Sequence, residues 1–72
     1  MVEENMKMGE KIRKIRKTQE LSLSALAEKI DKTSSYLSHV ERSLAEPSIT
    51  ALREVSKALN VPIFYFLIED QK

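Results

Sequence analysis

The side chains best placed for chemistry lie in the run Lys32-Thr33-Ser34-Ser35-Tyr36-Leu37-Ser38-His39-Val40-Glu41-Arg42. Ser35 and His39 stand four residues apart, on one face of a helix, and a hydroxyl beside an imidazole is the start of a nucleophile and base pair. No oxyanion hole and no acidic residue to orient the imidazole can be drawn near them, and Glu41 has no catalytic partner, so an enzyme is not expected. One histidine and no cysteine exclude a disulfide, a thiolate metal site and a histidine-cluster metal site. Gly9 is the only glycine, so there is no Gly-rich phosphate loop. No cofactor, metal or small-molecule site is expected.

What remains is non-covalent recognition of an anion. Thr33 is suited to cap a helix, and the free amides of that helix's first turn, at the positive end of its dipole, form a natural phosphate site. Lys32 sits just before it, Tyr36 can donate its phenol hydrogen to another phosphate, and Ser22 with its own helix start can act in the same way. Tyr36 can instead be partly packed. A polar helix face can also be simply solvated.

These residues must be positioned by helices. Met8, Ile12 and Ile15 share one face of an amphipathic helix over residues 8–18, whose other faces carry lysine and arginine. Ser22 caps a short second helix with Leu23, Leu26, Ala27 and Ile30 at helical spacing, and Thr33 caps a third in which Leu37 and Val40 are the internal apolar residues. So short a turn between residues 23–30 and 33–41 forces a steep crossing, as in a helix-turn-helix. After Pro47, Ser48 caps a fourth helix with a buried face of Ile49, Leu52, Val55 and Leu59. Pro62 suits the first turn of a fifth, ending near Ile68. The fold class expected is all-α, five helices in one compact domain over residues 1–72, about 23–41 forming the motif.

Bulk properties agree. The chain is 42% hydrophobic and 32% charged, as globular proteins are. A domain of 72 residues buries only about 60% of the surface its unfolded chain exposes, so a partner subunit would help stability. The opening MVEENMK lacks the basic start and apolar core of a signal peptide. The longest apolar stretch, Val61 to Ile68, is far short of the roughly 20 residues of a membrane span. A soluble, cytoplasmic protein with no membrane contact is expected. Net charge is only +1, but Lys7, Lys11, Arg13, Lys14, Arg16 and Lys17 crowd the first quarter, while Glu69 and Asp70 lie at the end. This cationic helix face can be merely solvated; Lys11 and Lys17 are the candidates for long-range attraction of a polyanion, not for direct contacts.

In order along the chain, Ile12-Arg13-Lys14-Ile15-Arg16, Leu26-Ala27-Glu28-Lys29, Tyr36-Leu37-Ser38, Glu41-Arg42 and Pro47-Ser48 resemble the Xre-type helix-turn-helix family of phage Cro and C1 repressors. The resemblance covers about residues 8–68 and implies the five-helix lambda-repressor-like fold. It also implies that the third helix enters the major groove of double-stranded DNA, with Ser34, Ser35, Ser38 and His39 facing base edges. Short polar side chains there let the helix backbone approach DNA closely. Phosphate contacts are then expected from Ser22, Lys32, Thr33, Tyr36 and Arg42, and an internal ion pair from Arg16 and Glu41.

The sequence departs from the family where glycine often closes three helices, since it carries Glu20, Asp31 and Ser43 there. The three serines pair with any base, so specificity must come from His39, Arg42 and DNA shape. On the fifth helix, Ile63, Phe66 and Leu67 are enough to close the core, leaving Phe64, Tyr65 and Ile68 as an exposed patch and a candidate dimer interface. A slightly rotated helix would bury them instead. The function implied is a sequence-specific transcriptional regulator, a repressor acting as a homodimer on a palindromic operator; the alternative is an antitoxin-like protein-interaction module of the same fold with little DNA binding.

Overall fold

The computed structural model describes residues 6–68, and Glu69 and Asp70 lie outside them. Five helices follow one another: α1 (Met8–Thr18), α2 (Leu23–Lys29), α3 (Ser34–Glu41), α4 (Ile49–Leu59) and α5 (Phe64–Leu67). No strand occurs among the described residues.

The starts of α1 to α4 each have a side-chain reason. Ser22 Oγ accepts from the Ala25 amide, Thr33 Oγ1 from Tyr36 and Ser48 Oγ from Ala51, each at 3.0 Å. At α1 the arrangement is reversed, and the Glu10 carboxylate accepts from the Lys7 amide at 3.0 Å.

The ends of α1 to α4 share one device. The amides of Leu21, Lys32, Leu44 and Val61 reach back five residues to the carbonyls of Arg16, Ala27, His39 and Ser56, at 2.8–3.1 Å. This is the Schellman closure, which needs a left-handed residue just before the donor. Glu20, Asp31, Ser43 and Asn60 occupy it, with φ of 60, 60, 63 and 62°. The glycine-like geometry expected at the first three is therefore present without glycine, and Asn60 is a fourth instance. A side chain opposes this conformation by about 1 kcal/mol, less for Asp and Asn. Glu20→Gly is therefore expected to stabilise the domain by several tenths of a kcal/mol after the added flexibility of the unfolded chain is subtracted, raising the melting temperature by about 2–5 °C. Asn60→Gly should gain less; a thermal melt in which Glu20→Gly gains nothing would contradict the strain.

Ile12, Leu26, Leu37, Leu52, Val55, Leu59 and Phe66 form the fully enclosed centre, so all five helices contribute. Ala27, Ile30 and Val40 extend it. Ile49, expected on the buried face of α4, is 55% exposed, because it is the first residue after the cap and falls outside the core cluster.

The last helix corrects two expectations. It is a single turn beginning at Phe64, not at Pro62, and that register decides what it buries. Phe66 enters the core, and Ile63 and Tyr65 pack partly against it. Leu67, expected to close the core, is 49% exposed, whereas Tyr65, expected in the exposed patch, is half-buried with its ring edge-on to Phe66 at 5.3 Å. Lys11 explains why. Its side chain is not a solvated attractor but 3% exposed, and its Nζ donates to the carbonyls of Tyr65 at 3.1 Å and Ile68 at 2.6 Å. The ammonium also lies 5.2 Å from the centre of the Tyr65 ring. A cation on the open carbonyls of a helix end is the favourable polarity, so α1 holds the C-terminus of α5. Gln19 does similar work, its Nε2 donating to the Leu59 carbonyl at the end of α4 at 2.7 Å.

Candidate nucleic-acid interface

α3 is placed by what it buries. Leu37 and Val40 point into the core and Glu41 is buried at its last turn, which turns the opposite face outward. On that face Ser35 and His39 are exposed, and Ser34 and Ser38 are half-buried beside them. Side chains this short leave the helix backbone accessible to a large ligand.

Around this face stand the candidates for anion contact. Ser22, Lys32, Thr33 and Arg42 are all exposed. Ser22 and Thr33 each spend their hydroxyl oxygen on one amide, while the remaining amides of the first turns of α2 and α3 lack an intrahelical acceptor. Tyr36 is half-buried and packs against the core, the second of the two readings open for it. The Lys32 ammonium lies 5.5 Å from the centre of its ring, so the two residues form one unit at the start of α3. Arg42 is the residue that ends α3.

The two helices of the motif meet through a contact with no signal in the spacing alone. Ser24 Oγ of α2 lies 3.2 Å from Ser34 Oγ of α3, within hydrogen-bond distance at the exposed seam. Ser24 therefore belongs to the same surface. Both serines occupy first turns, and only the crossing of the helices brings them together.

The support beneath the face is ionic. Arg16 and Glu41 form a two-pronged pair, Nε to Oε2 at 2.7 Å and Nη2 to Oε1 at 3.0 Å. The third prong, Nη1, donates to the Leu21 carbonyl at 2.7 Å, where the chain leaves α1 for α2. One guanidinium thus joins α1, the turn before α2 and the end of α3, with every donor direction fixed by its plane. Gly9 completes this junction. A Cβ there would lie 2.1 Å from the Val40 carbonyl oxygen and 2.9 Å from that of Glu41, so only glycine lets α1 approach the end of α3.

Of the exposed patch expected on α5, Phe64 and Ile68 are exposed and Tyr65 is not, with Leu67 in its place. Among the described residues no group of three or more His, Cys, Asp or Glu is arranged to hold a metal, and no helix is long and apolar enough to cross a membrane.

A helix-turn-helix family model matches residues 12–66. The HTH-type transcriptional regulator SinR of Bacillus subtilis (strain 168) is 44% identical over 63 residues, covering 86% of this chain and 57% of SinR. The chain thus spans little more than half the length of that relative. A crystal structure of SinR, described as the master regulator for biofilm formation and solved in complex with DNA, superposes with a TM-score of 0.80 at 44% identity, covering 85% of this chain and 98% of that one. The P22 c2 repressor, solved in complex with a synthetic operator, gives a TM-score of 0.81 at 34% identity over 85% of this chain and 92% of that one. With sequence and fold in agreement across all five helices, the chain belongs to the helix-turn-helix family of the Xre, Cro and C1 repressor type.

Proposed function

We propose that this chain binds duplex DNA as a transcriptional regulator, a cytoplasmic repressor that lays α3 in the major groove. The observation that carries this reading is the exposed Ser35 and His39 face, flanked by the capped starts of α2 and α3 and held rigid from behind by the buried Arg16 and Glu41. The relatives solved with DNA support it. Ser34, Ser35, Ser38 and His39 face the bases, and Ser22, Lys32, Thr33 and Arg42 the phosphates, with the Tyr36 phenol beside them. Hydroxyls discriminate bases weakly, so His39, Arg42 and DNA shape carry the sequence preference. Titrating duplex affinity against salt tests the reading: a steep linear fall of log affinity with log salt is expected, at about 0.9 per phosphate contacted. A flat dependence would favour a protein-interaction module instead.

The regulator acts as a homodimer on a palindromic operator, pairing through Phe64, Leu67 and Ile68, which are large apolar side chains left exposed on α5 and the residue that ends it. A two-fold axis there sets two α3 helices about one DNA turn apart, roughly 34 Å. Phe64→Glu is expected to give monomers in sedimentation and to weaken operator binding by more than tenfold, since each half-site must then be bound alone. Dimers that persist in the variant would rule out this surface.

A further inference from the structure

We infer that a cationic groove between α1 and the end of α3 is a second phosphate-binding surface, taking the DNA backbone that flanks the site read by α3. The groove has a volume of about 650 Å³ and is lined by Lys7, Arg13, Lys14 and Lys17 of α1 and its leading residue, and by Arg42. All five cations are exposed. Two carboxylates also border it, and both are engaged. Glu41 is buried in its pair with Arg16, and Glu10 accepts from the Lys7 amide. Arg13, Lys14, Lys17 and Arg42 have no ion-pair partner among the described residues.

Arg13 and Lys17 are four residues apart on α1, and Lys14 and Lys17 three apart. Like charges at that spacing destabilise a helix. An anion laid along the groove would turn that repulsion into attraction. The shape fits a strand of phosphates better than a single one: Lys7 to Lys17 spans about 15 Å of helix, the axial length of about four phosphates of one DNA strand. Arg42 commits the groove to the duplex already seated on α3, because this residue both ends that helix and lines the groove.

The inference rests on the DNA-binding reading, and its test separates the two. A duplex carrying a site selected from a random pool is used in two lengths, trimmed to the site and extended by about ten base pairs on each side. The double variant Lys14→Gln/Lys17→Gln is compared with the unaltered chain across salt. On the extended duplex the salt slope of the variant should be shallower by about 1.8, which makes its relative loss of affinity about twelvefold greater at about 50 mM than at about 200 mM salt. On the trimmed duplex the two proteins should bind alike, and the selected sequence should not change. Equal slopes on the extended duplex would overturn the groove, and equal losses on both lengths would overturn its assignment to flanking DNA. If the unaltered chain binds neither duplex, the DNA-binding reading itself falls.

Discussion

Arg16→Ala should bring the domain to the edge of unfolding. The substitution removes three donors at once and leaves the Glu41 carboxylate, 4% exposed, without its counter-charge. Breaking a buried ion pair from one side costs about 3–5 kcal/mol, against a total stability of about 4–11 kcal/mol at the usual 0.05–0.15 kcal/mol per residue. The expected fall in melting temperature is about 12–40 °C, at about 4–8 °C per kcal/mol for a domain of this size. Circular dichroism melts measure it directly. The double variant Arg16→Met/Glu41→Leu separates two roles for the pair. It should recover much of the lost stability, because neither charge is left buried alone. A fall of only a few degrees in Arg16→Ala would show that the pair does not hold α3 in place.

Gly9→Ala is the second large effect, and its sign runs against helix propensity. Alanine within a helix is favoured over glycine by about 1 kcal/mol. Here the added methyl would sit 2.1 Å from a backbone carbonyl oxygen of α3, and a backbone cannot step aside as a flexible side chain can. α1 and α3 must separate, straining the Arg16 and Glu41 pair that lies across the same junction. Overpacking that forces backbone shifts costs about 1–3 kcal/mol, so after the gain in helix propensity a net loss of about 1–2 kcal/mol is expected. In chemical denaturation the midpoint should fall with little change in slope. A midpoint at or above that of the unaltered chain would mean that the helices are not in contact at Gly9.

Local chemistry made much of the fold legible. Ser22, Thr33 and Ser48 announce helix starts because a cap acts within three residues of itself, and Leu26, Leu37, Leu52 and Phe66 follow the helical repeat that a buried face imposes. The left-handed positions at Glu20, Asp31 and Ser43 were legible only through family resemblance, and Asn60 was missed although asparagine tolerates that geometry well. Tertiary placement was the opaque part. Lys11 has the composition of a solvated helix face, yet the open carbonyls of α5 draw it inside. That contact pulls Tyr65 inward and leaves Leu67 outside, a reversal that spacing on a one-turn helix cannot specify. Gly9 and Ser24 carried no periodic signal, since each acts through a partner on α3 that lies far along the chain.

Ser35 is exposed in the first turn of α3, so a carboxylate there meets the positive end of the helix and should leave stability unchanged or raise it by about 0.3–1 kcal/mol. Against a phosphate backbone the same charge repels. Duplex-DNA affinity of Ser35→Glu, measured beside its melting temperature, is therefore the most direct test that α3 is the DNA-reading face. A fold as stable as the original with affinity reduced more than tenfold is the predicted result; affinity equal to that of the unaltered chain would contradict it.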